Sequence, residues 1–119
     1  MVKHVVMAMH SGSYGRTDDV CGALILANAL LTHGMDVTIL LKGDGVFVGL
    51  PDQRPNNIGY EAHLMYLDAV VEMGARVVAL EESMKERGLS KDEVLDYIEY
   101  VEEKDLPGLM AEADHWLPF

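Results

Sequence analysis

Residues 2 to 41 read VKHVVMAMHSGSYGRTDDVCGALILANALLTHGMDVTILL, and the periodicities inside this stretch decide the fold. Val2 to Met9 form a short apolar, β-branched run that stops at the polar, glycine-rich segment His10-Ser11-Gly12-Ser13-Tyr14-Gly15, which reads as a strand running into a loop. Thr17 then offers an N-cap, and Asp18 and Asp19 suit the positive end of a helix dipole. Apolar residues at 20, 24, 27 and 31 recur at helical spacing until His33-Gly34 closes the segment. Asp36-Val37-Thr38-Ile39-Leu40-Leu41 is a second strand, apolar enough to be buried, ending at Lys42-Gly43-Asp44-Gly45. Strand, helix and strand make one crossover unit.

The unit repeats downstream. GVFVGLPDQRPNNIG, from Gly45 to Gly59, is broken by two prolines and several glycines and reads as a loop. The spacing predicts a helix from about Tyr60 to Met73, with Leu64, Leu67 and Val71 on one face, then a strand over Arg76-Val77-Val78-Ala79-Leu80. Ser83 to Arg87 reads as a short helix closed by Gly88, and Ser90 with Glu93 three residues on reads as a capping box. Ile98 to Val101 is either a fourth strand or the end of the preceding helix; Leu106 to Ala113 reads as a last helix and His115 to Phe119 as a fifth strand. Strands alternating with helices imply a mainly parallel sheet covered on both faces, an α/β domain in three layers, α/β/α.

Composition bounds what such a domain does. One domain accommodates all 119 residues, and half of them are apolar, enough for a packed core. Nine Lys and Arg against 20 Asp and Glu give a formal charge of -11 and argue against direct nucleic-acid binding, which needs cations to displace counterions from phosphates. The longest strongly apolar stretch, Cys21 to Leu31, contains Asn28 and falls short of the roughly 20 residues a membrane span needs. The short run Val5 to Met9 lacks the features of a secretory signal, and the single cysteine asks for no oxidising compartment, so a cytoplasmic location is expected. The run Gly45-Val46-Phe47-Val48-Gly49-Leu50 puts large apolar side chains in or beside a loop, which points to an interface and a homo-oligomer.

Ligands of open parallel sheets bind beyond the carboxyl ends of the strands, so residues 10–16, 42–49 and 81–85 are expected to converge. Ser11 and Ser13 supply hydroxyls, and the backbone around Gly12 and Gly15 precedes a helix N-terminus, which suits a small anion. Gly12 and Gly15 stand too close together for a nucleotide P-loop, and Arg16 occupies the lysine position. Cys21 is the one possible sulfur nucleophile, although Asp18 and Asp19 oppose a thiolate there and a small buried hydrophobe is the plainer reading. His4, His10, His33, His63 and His115 show no metal-ligand spacing, so no metal site is predicted and no cofactor is called for. His10 follows the first strand and is the histidine to watch. Glu81 to Asp105 carries ten acids against Lys85, Arg87, Lys91 and Lys104 and reads as a solvated acidic face.

Taken in order, VKHVVMAMHSGSYGRTDD, GALILANALLTHGMDVTILLKGDGV, RVVALEESMKERGL and DLPGLMAEADHWLPF resemble the DsrE/DsrF-like family of sulfur-relay proteins over most of the chain. The resemblance implies a five-stranded α/β/α domain assembling into trimers or hexamers, with relatives that pass persulfide sulfur between protein partners. In the sulfur-transferring members a cysteine stands just after the third strand; here that region is Ala79-Leu80-Glu81-Glu82-Ser83. A carboxylate cannot carry a persulfide. The resemblance therefore implies an accessory, docking or small-ligand-binding subunit, with a small anion or thiol held by His10, Ser11, Gly12, Ser13, Tyr14, Glu81, Glu82 and Ser83. The alternative is a carrier or enzyme acting through Cys21, or through His10 with Glu81 and Glu82.

Overall fold

The computed structural model describes residues 2–10, 19–51 and 63–119. The elements are β1 (His4–Met9), α1 (Asp19–Thr32), β2 (Asp36–Leu41), α2 (His63–Glu72), β3 (Arg76–Leu80), α3 (Glu81–Glu86), β4 (Glu99–Val101), α4 (Leu106–Glu112) and β5 (His115–Pro118), with 3-10 turns at Gly43–Gly49, Lys91–Glu93 and Glu103–Asp105. The strands form one sheet in the order β4-β3-β2-β1-β5, every neighbouring pair parallel. Val5 lies opposite Val37, Ile39 opposite Val77, and Val6 opposite Trp116.

Side chains alternate across a strand, and the strands are apolar on both faces, so the sheet needs cover on both. Val5, Met7, Met9, Val37, Ile39, Leu41, Val77 and Ala79 pack on one face with Val20, Ala23, Leu24 and Ala27 of α1 and Leu67 and Val70 of α2. Val6, Ala8, Leu40, Val78 and Leu80 face the other way, onto Leu106 and Leu109 of α4. This is the expected three-layer α/β arrangement on a five-stranded parallel sheet. Each buried Leu, Ile, Val or Met side chain contributes roughly 1.5–3 kcal/mol of transfer free energy, so these two layers dominate the fold's stability.

Helices α1 and α2 end by the same device. Gly34 and Gly74 adopt positive φ, and the pairs Gly34 N–H to Leu31 O with Met35 N–H to Leu30 O, and Gly74 N–H to Val71 O with Ala75 N–H to Val70 O, turn the chain sharply into the next strand. Residues 98–101 resolve in favour of a strand: Ile98 is buried in the core, and Glu99–Val101 pairs with Val78–Leu80. Ser90 and Glu93 form the expected capping box.

Two expectations change. The loop foreseen from Gly45 to Gly59 begins instead as a 3-10 turn over Gly43–Gly49, while residues 52–62, with the start of the foreseen second helix, lie outside the described residues. The apolar run Gly45 to Leu50 is also not a surface patch. Val46 and Val48 are buried in the main core and Leu50 packs against it, leaving only Phe47 and Leu50 part-exposed. The reason is Gly49, whose Cβ position lies 2.6 Å from the Ile98 side chain: a residue with no side chain there lets the turn settle onto the core.

Candidate functional site

The strand order reverses direction at β1, which sends its crossover to β2 on one side and receives β5 on the other. Such a switch point opens a crevice at the carboxyl ends of the strands, and His10 is the first residue beyond β1. Its backbone is fixed between both neighbours: His10 N–H donates to Phe119 O (3.1 Å), and Lys42 N–H donates to Met9 O (3.0 Å). The turn after β2 then presses against the end of β1. A Cβ at Gly45 would lie 1.9 Å from Met9 O, so glycine is the residue that permits this approach.

From the turn the network continues to α3. Gly43 N–H donates to Ser83 Oγ (3.0 Å), and Ser83 is buried. Arg87, one turn further along, donates from Nη1 to Ser83 O (3.2 Å) and from Nε to Asp44 Oδ1 (3.0 Å). Of the three segments expected to converge, 42–49 and 81–85 meet through Gly43 and Ser83, and His10 lies beside Gly43, while residues 11–16 of the first segment lie outside the described residues. In the sequence Arg87 ends a short helix and stands among the cations of the acidic face; its spacing of four from Ser83 is visible there, but its partner Asp44 lies 43 residues away and no local signal announces the pair.

Glu81 and Glu82 belong to the other side of β3. Lys91 Nζ meets Glu81 Oε1 at 2.7 Å, and the Glu82 carboxylate accepts the Glu103 N–H at 3.1 Å from each oxygen. Both acids are thus engaged by the β4 flank. The hydrogen bond from Lys91 holds the Glu81 carboxyl below its usual value and raises the Lys91 ammonium. Lys91 also sits over the Tyr100 ring, 4.6 Å from its centroid. A cavity of about 280 Å³ lies along this flank, lined by Glu81, Met84, Lys85, Leu89, Ser90 and Lys91.

Of the remaining candidates, Ser11, Gly12, Ser13 and Tyr14 lie outside the described residues. Cys21 is part-buried near the start of α1, on a helix whose Val20 and Ala23 belong to the core. His4 pairs through Nε2 with Thr38 Oγ1 (2.8 Å) at the opposite, amino edge of the sheet, and His63 is buried at the first turn of α2. No group of three or more His, Cys, Asp and Glu able to hold a metal occurs among the described residues, and none of their helices is long and apolar enough to cross a membrane.

Chemically, the end of β3 offers two engaged carboxylates and a hydroxyl that already accepts a backbone N–H. It offers no thiol.

Known proteins share this frame. The structure of the ychN protein from E. coli superposes with a TM-score of 0.84 at 26% identity, each chain covered completely. A Methanobacterium thermoautotrophicum protein of unknown function shares the fold, with a TM-score of 0.74 at 13% identity over 98% of this chain and 99% of that one. In sequence the chain is 30% identical to an uncharacterized protein of Methanopyrus kandleri, over 97% of this chain and 93% of that protein. An uncharacterized protein of Methanocaldococcus jannaschii is 28% identical, over 89% and 90%. The model of the DsrE/DsrF-like family matches residues 3–119, so the likeness takes in the whole sheet and both flanks of β3, and the chain belongs to that family.

Proposed function

We propose that the protein serves a sulfur relay as an accessory, docking or small-ligand-binding subunit and does not itself carry the sulfur. Family membership supports the connection to sulfur relay. The observation that carries the accessory role is the composition of the β3 end: Glu81 is held by Lys91, Glu82 by the Glu103 N–H, and Ser83 by the Gly43 N–H, with no thiol among them. Relay of sulfane sulfur requires a thiolate that attacks a donor persulfide and becomes the next persulfide. Neither a carboxylate nor a bonded serine hydroxyl does this. The ligand of such a subunit is a small anion or a thiol at the His10 and Ser83 junction, its relay partner is another protein, and it works in the cytoplasm as a homo-oligomer, a trimer or hexamer.

The test is sulfur loading. After incubation with a cysteine desulfurase and cysteine, intact mass spectrometry is expected to find no sulfur adduct that the protein passes to an acceptor. Stoichiometric loading that vanishes in Cys21→Ser and transfers onward would overturn the accessory role and make Cys21 the carrier. Light scattering gives the assembly, and a concentration-independent 13.1 kDa species would remove the oligomer.

A further inference from the structure

The cavity between α3 and the turn at Lys91–Glu93 brings two lysines together on an acidic chain. Its lining residues carry two ammonium groups, Lys85 and Lys91, and one carboxylate, Glu81, an excess of one positive charge that Glu102, acting on Lys91 from outside the lining, partly offsets, in a protein whose formal charge is -11. Met84 and Leu89 supply apolar surface, Met84 buried and Leu89 part-buried. Lys91 is held in place by Glu81 at 2.7 Å and by the Tyr100 ring, so little side-chain freedom is lost when a ligand arrives. An ammonium has three N–H donors, and Glu81 Oε1 uses one of those on Lys91. Lys85 forms no ion pair with any described residue. The cavity, about 280 Å³ and open to solvent, has room for a small molecule.

We infer that this cavity binds a small organic monoanion, its carboxylate or equivalent anionic head between Lys85 and Lys91 and a short aliphatic body on Met84 and Leu89. One negative charge neutralises the excess of the walls; a second would meet Glu81. The site is independent of the sulfur reading, since it uses no thiol and its test has no sulfur readout.

The experiment is an amide-shift titration of the full chain with hexanoate, run in parallel with hexanol and with sulfate. Hexanoate is expected to give saturable shifts confined to residues 81–91, with hexanol and sulfate failing to saturate over the same range. Lys85→Gln, at an exposed position where the fold is insensitive, should weaken hexanoate about tenfold, the size of a lost charge-assisted hydrogen bond. Glu81→Gln should tighten it, because the carboxylate competing for Lys91 is gone. Absence of saturable shifts overturns the site. Binding of hexanol as tight as that of hexanoate, or an unchanged affinity in Lys85→Gln, removes the anionic head; sulfate binding as tightly as hexanoate removes the aliphatic body.

Discussion

Ser83 and Glu81 stand two residues apart in the first turn of α3, yet they belong to different neighbourhoods. Ser83 turns toward β2 and β1, where backbone N–H groups, glycines and a buried hydroxyl lock the switch point with one partly buried cation, Arg87, over it. Glu81 turns toward β4, where charged side chains at partial exposure pair across a cavity. The first region is held by close backbone approach and cannot be altered cheaply. The second is held by ion pairs that solvent and salt weaken. A helical turn advances 100° per residue, so neighbours in sequence serve opposite flanks.

The largest expected effect breaks the first region. Gly45→Ala places a methyl group 1.9 Å from Met9 O, a backbone atom that cannot move aside without unpairing β1 from β2. A loss of about 3 kcal/mol or more is expected, read as a fall in the urea midpoint. A wild-type midpoint would show that the turn after β2 is free to lift off β1, and the contrast between the two flanks would go with it.

Ser83→Ala is the next. Its buried hydroxyl accepts the N–H of part-buried Gly43, so truncation leaves that donor without its protein partner at a cost of about 1–2 kcal/mol. Gly43 amide exchange should accelerate with it. Equal loss of stability in Glu82→Ala would erase the distinction between the regions, because Glu82 accepts an exposed backbone N–H at the far flank, and its removal is expected to cost under about 1 kcal/mol.

Most of the sheet was legible in the sequence because four of its five strands announce themselves locally, while residues 98–101 fit a strand or a helix end equally until they pair with β3. Apolar, β-branched runs gave β1, β2 and β3 with their limits nearly right, and the capping box at Ser90 and Glu93 needed only four residues to recognise. The apolar run from Gly45 to Leu50 reads as a surface patch and is not one for a physical reason: its burial depends on Gly49 meeting Ile98, a contact spanning 49 residues that no periodicity encodes. The same limit applies to the site. Convergence of the three strand-end segments follows from the topology, but which side of β3 each of Glu81, Glu82 and Ser83 serves depends on Lys91, Glu103 and Gly43, and the Arg87–Asp44 pair is likewise visible only once the chain is folded.

The smallest effect sharpens the second region through pH. Lys91 lowers the Glu81 carboxyl, and Arg76, bound at 3.0 Å, lowers that of Glu99 on β4. A carboxylate whose folded value lies below its unfolded value binds fewer protons when folded, so the stability it adds is present above the ordinary glutamate range and is lost as pH falls toward the depressed folded values. Stability measured by urea should therefore decline from about pH 5 downward. Lys91→Met should remove part of that slope and Arg76→Met another part. Both pairs are largely exposed, so each contribution is small and 1 M salt should shrink it, with the Debye length down to about 3 Å. The bond from the Gly43 N–H to Ser83 Oγ joins two groups that do not ionise in this window, and Ser83→Ala should shift the whole curve without changing its acid slope. An acid slope unaltered in both Lys91→Met and Arg76→Met would mean that the β4 flank, like the switch point, is held by packing and not by charge.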